Sequence, residues 1–270
     1  MTAKNLKRLN KNIKGTYFYN FCEIFLLMMS RQSYFYLFVI VLVDNTKLSN
    51  CDESVGLCYQ NDYTNHTTSL FTITFGSGLD SYLNETSDKF GFSISTAYQQ
   101  SFGSRMTDAA FDFVHVVPNH YPEWHAGEKD HTENHTKGYM YIVSAGPPNS
   151  HIFNRTVNHL CIGSQYIFSA YITNIAKKGL QSNKPNIQFE VRSATDNSQL
   201  LAKCSTSDIV DYDKWTWIKY SLVFNASTTS IILLMVSTSG WLNGADMAID
   251  DIELHSASSE YPNFCSFSKF

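Results

Sequence analysis

The chain has 270 residues, 43% of them hydrophobic and 14% aromatic, with a formal net charge of -4. That is enough length for one large or two small domains with a sizeable core. The charge is uneven: residues 1–31 carry a net +5 and the remainder a net -9. A net-acidic body without a basic run excludes nucleic acid as an expected partner.

The basic start (Lys4, Lys7, Arg8, Lys11, Lys14 and Arg31 against Glu23) leads into SYFYLFVIVLV at 33–43. Such a stretch suits a signal-peptide core and is short for a bilayer span. Met29 offers an alternative start. The competing reading is a signal anchor over 24–43, which leaves Arg31 within the bilayer at a cost of ~2.5–3.5 kcal/mol. A buried apolar helix in a cytosolic protein is the third. Residues 1–44 are thus predicted to be a signal peptide or anchor, followed by a polar extension at 45–69. The body is expected to be secreted or on the extracellular face, touching a membrane only through such an anchor.

Two further features fit export. Glycosylation sequons fall at Asn65, Asn84, Asn134, Asn154 and Asn225, all after residue 45. Cys51, Cys58, Cys161, Cys204 and Cys265 are disulfide candidates in an oxidising compartment. Cys51 with Cys58 closes a local loop; Cys204 can pair with Cys161 or with Cys265. Five is odd, so one thiol is free or intermolecular unless Cys22 is retained. No Cys-x-x-Cys suggests redox or zinc chemistry.

From residue 70 the chain reads as strands separated by turn-rich gaps. FTITF precedes GSG; AFDFVHVV stops at Pro118; GYMYIVSAG stops at PPNS; QYIFSAYITNI is followed by AKKGLQSNKP. NIQFEVRSA alternates Ile187, Phe189 and Val191 against Gln188, Glu190 and Arg192, the pattern of a half-buried strand. WTWIKYSLVF alternates likewise, SIILLMVST is nearly all apolar, and ADMAIDDIEL closes the set. No long segment of helical period occurs in the body. Fold class is predicted as all-β, a sandwich of two antiparallel sheets over 70–256, with a C-terminal tail at 257–270.

The last strand poses the main question. Asp250 and Asp251 are adjacent, and Asp246 lies four residues upstream. Strict alternation puts one carboxylate on the side of Ala248, Ile252 and Leu254, and the other on the side of Ile249 and Glu253. An unpaired carboxylate under apolar cover costs several kcal/mol. Asp246, Asp250 and Asp251, with Asp130 as a remote contributor, are therefore the candidate ligands of a structural calcium ion. Solvated carboxylates on an edge strand are the plain alternative. The segment is not an EF-hand. The histidines of HAGEKDHTENH lack a His-Glu-x-x-His helix and read as loop residues rather than zinc ligands. Glu123, Glu128, Asp130, Glu133 and Glu190 are available for sugar hydrolysis, but no pair is singled out. No Gly-x-Ser-x-Gly elbow or phosphate loop is present. Trp124, Trp215, Trp217 and Trp241 are the ligand-binding candidates, because aromatic rings beside polar groups grip sugars and protein surfaces. Each can instead plug the sandwich.

FTITFGSG, WHAGEKDHTENHTKGYMYIVSA, LCIGSQYIFSAYITNI, PNIQFEVRS and GADMAIDDIEL occur in that order. Together they resemble the extracellular jelly-roll modules of bacterial surface and adhesion proteins, and more distantly MAM and galactose-binding-like domains. The resemblance spans roughly 70–256 and is most specific in DHT…GYM with AIDDIEL. It implies a jelly roll holding a structural calcium near the final strand, adhesion or glycan binding, and no catalysis. It gives weight to Asp130 and Asp251 as cation-site residues, less to Asp246 and Asp250. WLNGAD departs from the related Gly-Asn-Asp turn, and the module stands almost alone behind its leader. The expected function is non-catalytic recognition of a glycan or extracellular protein. The alternatives are a glycoside hydrolase or lyase on the same scaffold, and an interaction domain without a small ligand.

Overall fold

The computed structural model describes residues 68–196, 199–240 and 244–256. These all belong to one compact unit, Val55–Phe270; a second, Met1–Ser54, lies outside the described residues, as do the leader and all of its predicted extension but Thr68 and Ser69, which open the first strand.

Among the described residues eleven strands run in chain order: β1 (Thr68–Ile73), β2 (Gln99–Gln100), β3 (Ala110–Val114), β4 (Met140–Ser144), β5 (Ser150–Val157), β6 (Gln165–Asn174), β7 (Ile187–Ser193), β8 (Leu200–Ser205), β9 (Ile218–Asn225), β10 (Ile231–Ser237) and β11 (Asp246–Ser256). They form two sheets. The larger follows the order β2-β3-β4-β11-β6-β9, with β1 pairing the second half of β11. Its β2–β3 pair is parallel and the other pairs are antiparallel. The smaller is antiparallel, in the order β5-β10-β7-β8. The all-β expectation holds, with one parallel pair added.

The alternating residues supply the layer between the sheets. Ile187, Phe189 and Val191 of β7 are buried in the same core as Tyr220, Leu222 and Phe224 of β9. Phe168 of β6 bridges the sheets, its centroid 5.8 Å from that of Phe153 and 5.1 Å from that of Phe189. Full burial of such a ring stabilises by about 1.5–3 kcal/mol. Tyr141 is fully buried and donates its hydroxyl to the Ile152 carbonyl at 2.9 Å, so its polar end is not stranded. On the outer face of the small sheet, Glu190 is held between Gln188 and Arg192, with Arg192 Nε 2.6 Å from Glu190 Oε2.

The large sheet is covered on its outer face as well. Residues 115–138 fold back across β3, β4 and the start of β11. They enclose a second apolar cluster containing Met106, Val114, Trp124, Met140, Ile142 and Ala248. This explains why β4 is apolar from Met140 to Val143: Tyr141 and Val143 enter the main core, while Met140 and Ile142 enter the second.

β11 breaks the alternation on which its sequence reading rested. Its pairing with β6 shifts between Asp250 and Glu253, and Asp251 adopts a left-handed backbone with φ 44°. This is a β-bulge, in which one additional residue is accommodated and the strand re-aims its side chains. Ile249, Ile252 and Leu254 all join the main core, whereas Ala248 lies in the outer cluster. The predicted grouping of Ala248 with Ile252 and Leu254 is thus corrected. Aspartate tolerates the left-handed conformation better than most residues.

Candidate functional site: an acidic clamp under an aromatic edge

The bulge presents two carboxylates to the returning loop. Asp250 is 0% exposed. Its Oδ2 accepts the backbone N–H of His131 at 2.8 Å and of Thr132 at 3.2 Å, and its Oδ1 accepts the N–H of Asp251 at 2.9 Å. Asp251 takes the Thr132 hydroxyl at 2.7 Å on Oδ1, and its Oδ2 lies 2.7 Å from His131 Nδ1. The His131 ring stacks on Tyr171 of β6 with centroids 3.5 Å apart, and Trp217 meets it edge-on at 6.0 Å. The loop is thereby fastened to the centre of the sheet.

Asp130 completes the acidic group. Its Oδ2 lies 3.4 Å from His135 Nδ1, and both atoms are buried without a hydrogen-bond partner. Gly138 packs directly over it: a Cβ there would stand 1.8 Å from Asp130 Oδ2. The chain needs a glycine at this point because its backbone approaches a carboxylate. The DHT and GYM motifs are therefore two sides of one contact.

Electrostatics make the clamp costly. Burial, then the neighbouring Asp251 carboxylate, pushes the Asp250 carboxyl well above its ordinary range. Burial raises Asp130 too, against the opposing influence of His135. A folded-state pKa that is raised means stability present below the unfolded value of about 4 and lost as pH rises through the folded value. A cation among these oxygens would remove that loss. Among the described residues, no three His, Cys, Asp or Glu side chains are already gathered as metal ligands. Calcium also uses hydroxyl, carbonyl and water oxygens. Asp130, Asp250, Asp251 and Thr132 are hard oxygen donors of that kind, and Asp130 Oδ2, though paired with His135, accepts no hydrogen bond.

Asp246 does not join them. It sits four residues earlier on β11, where its Oδ2 accepts the Trp124 indole N–H at 3.1 Å. Burial raises its carboxyl; bonds from Ser144 and Trp124 oppose this. Trp124 is 1% exposed and belongs to the outer apolar cluster. It is a plug with a polar handle, because the loop carrying it folds onto the sheet instead of into solvent.

Trp215 and Trp217 are half-buried and pack edge-to-face, with centroids 5.3 Å apart. Trp215 donates Nε1 to the Lys129 carbonyl at 3.2 Å. Trp217 Nε1 is buried with no hydrogen-bond partner. Beside them, Lys219 stands 5.2 Å from the Tyr171 centroid and 3.1 Å from Glu253 Oε2. Burial alone would raise Glu253, but bonds from His255 and Lys219 outweigh it and hold the carboxyl below its ordinary range.

Other predicted residues fall as follows. Asn84, Asn134 and Asn225 are exposed, and Asn154 is half-buried on β5. Cys161 and Cys204 both take part in disulfide bonds. Trp241, Asn65, Cys51, Cys58 and Cys265 lie outside the described residues, and among those described no helix is long and apolar enough to cross a membrane. Thr132 and Tyr171 were not singled out from sequence; His131 was read as a loop histidine and Gly138 as a mark of that loop. The pairing of DHT with the acidic strand was the only signal pointing toward them.

No protein-family model matches the chain, and no curated protein matches it. Solved structures of similar shape exist. The CBM22-1 xylan-binding domain from Paenibacillus barcinonensis Xyn10C is 12% identical, covering 71% of this chain and 96% of that one, with a TM-score of 0.43. A cyclase from Fischerella sp. TAU is 11% identical over 68% and 96%, with a TM-score of 0.47. The CBM22-1 and GH10 modules of Clostridium thermocellum endo-1,4-beta-D-xylanase 10B, complexed with xylohexaose, are 15% identical, with a TM-score of 0.37. That match covers 70% of this chain and only 28% of the xylanase chain. Binding modules and a cyclase stand side by side in this group, so the likeness does not choose between activities.

Proposed function

We propose that the chain is a secreted or membrane-tethered, non-catalytic jelly-roll module that grips a glycan or protein surface and is stabilised by calcium at Asp130, Asp250 and Asp251. The half-buried Trp215–Trp217 pair carries this reading. It offers two large, half-exposed rings at right angles. Such an aromatic surface suits the C–H face of a sugar or an anchor residue of a protein. The acidic clamp supports the pair from below, since Trp215 bonds the loop at Lys129 and Trp217 abuts His131. Its carboxylates are engaged by backbone N–H groups and Thr132, which is the arrangement of an anchor and not of a proton donor.

The test uses the whole secreted chain on a glycan array and on intact cells. Trp215→Ala combined with Trp217→Ala is expected to weaken retention at least tenfold, about 1.4 kcal/mol, without unfolding the protein. Undiminished retention in the double variant would sink this reading, as would no retention of the parent chain on either surface.

A further inference from the structure

A second concavity lies away from the clamp, on the outer face of the small sheet, where β10 runs between β5 and β7. It is a cavity of about 400 Å³. Its size is within the ordinary range for small-ligand sites, roughly 300–1,000 Å³. Leu234 and Val236 of β10 line its middle, His151 and Asn154 of β5 one side, and Gln188 of β7 the other. Alternation explains the face. Phe153, Leu233 and Met235 enter the main core, so Asn154 and Leu234, which are paired in register, point away from it.

The lining carries no unmatched charge. Glu190 is paired with Arg192 and accepts an amide N–H of Gln188. Burial pushes the His151 imidazole toward its neutral form. The rest is amide and aliphatic, a surface suited to a neutral polyhydroxylated group with an apolar side. Asn154 is also the acceptor of a glycosylation sequon, Asn154-Arg155-Thr156. Among the described residues its side-chain amide makes no hydrogen bond, so the nitrogen can carry a substituent. Thr156 is exposed, two residues along the same face. Arg155 turns to the edge of the sandwich, where its guanidinium stands 3.9 Å from the Phe71 centroid and donates to the Phe90 carbonyl at 3.3 Å. Asn84, Asn134 and Asn225 are exposed, whereas Asn154 is half-buried and part of a cavity wall.

We propose that Asn154 is N-glycosylated and that the first N-acetylglucosamine of its glycan lies in this cavity, covering the outer face of the small sheet. The attachment point fixes the occupant, because a sugar on Asn154 Nδ2 starts within the cavity wall. The bond forms between Nδ2 and the anomeric carbon of an oligosaccharide activated as a lipid diphosphate; the diphosphate leaves and the nitrogen gives up one proton. Transfer acts on the nascent chain, so a strand position in the finished fold is no obstacle. The sugar is neutral and leaves the Glu190–Arg192 pair undisturbed. Its N-acetyl methyl and C–H face pack on Leu234 and Val236, and its hydroxyls meet the Gln188 carbonyl oxygen. A glycan so held shields this face from other ligands. The proposal rests on the export reading and on nothing at the Trp215–Trp217 face.

The full chain secreted from cultured animal cells tests this. Mass mapping of its peptides is expected to find Asn154 occupied. Enzymatic release of the Asn154 glycan from the folded protein is expected to be at least tenfold slower than release from the other occupied sequons, and equal to it after denaturation. Once the glycan is trimmed to its first sugar, nuclear Overhauser contacts are expected between that sugar and the methyls of Leu234 and Val236. Gln188→Ala removes one wall and should speed release toward that of the exposed sites. Thr156→Ala abolishes attachment but keeps the asparagine, and should open the Leu234 and Val236 methyls to a soluble paramagnetic probe. A chain occupied at another sequon but bare at Asn154 overturns the proposal and leaves export standing. A chain that is not secreted overturns both. An occupied Asn154 whose glycan is released as fast as the others, or whose first sugar shows no contact with either methyl, overturns the seat in the cavity.

Discussion

Replacing Asp250 by alanine is expected to lower stability by about 3 kcal/mol in urea unfolding. The carboxylate serves three backbone N–H groups, that of Asp251 buried and those of His131 and Thr132 partly buried. A buried donor left without a partner costs about 1–3 kcal/mol. Relief of the strain of ionising a buried acid beside Asp251 offsets part of that, and the donors prevail because they are more numerous. Asp250→Asn keeps one oxygen but turns an NH2 toward N–H donors, and should fall between parent and alanine variant. Thr132→Ala, which loses a hydroxyl shared between Asp251 Oδ1 at 2.7 Å and Asp250 Oδ2 at 3.3 Å, should cost about 1 kcal/mol. If Asp250→Ala unfolds within about 0.5 kcal/mol of the parent, the clamp contributes nothing of the kind described.

Trp124→Ala is the larger test of the covered outer face. Truncating an enclosed tryptophan costs about 3–5 kcal/mol, here by opening a void among Met140, Ile142 and Ala248. Trp124→Phe separates packing from polarity. It retains most of the apolar cover but strands Asp246 Oδ2, and should cost about 2 kcal/mol near neutral pH. The indole bond favours the charged carboxylate, so its contribution is present above the carboxyl's pKa and shrinks as the acid protonates. The gap between parent and phenylalanine variant should therefore narrow as pH falls through the Asp246 pKa, which burial holds above the ordinary carboxylate range. A gap independent of pH would show that the bond to Asp246 is without consequence.

Where side chains alternate regularly, local sequence was enough to place a strand. β7 and β9 show this, and β10 was legible as an apolar run because it lies at the centre of the small sheet. β5 and β8 went unread for identifiable reasons. β5, SHIFNRTV, mixes buried and half-buried positions across an irregularity in its pairing with β10. β8, LLAKCS, is a six-residue edge strand whose first leucine is exposed. Neither has a face uniform enough to declare itself.

The candidate site was half legible. Adjacent carboxylates in an apolar strand were conspicuous, and Asp130 was associated with them through the DHT motif. Strict alternation misassigned the faces because a bulge is a choice of backbone conformation at one residue, Asp251, and leaves no periodic trace. Trp124 looked like a loop aromatic because nothing local says that the loop folds back. The continuous apolar character of β4 was the overlooked sign, since Met140 and Ile142 require a cover of their own.

The central claim is that the β11 bulge concentrates negative charge which a bound calcium ion compensates. Thermal unfolding of the intact chain in calcium or in chelator, at fixed ionic strength, tests it most directly. Calcium at 100 times its Kd should stabilise the protein by about 2.7 kcal/mol and raise the midpoint, and Asp250→Ala should remove most of that rise. An identical midpoint in calcium and in chelator would contradict the account.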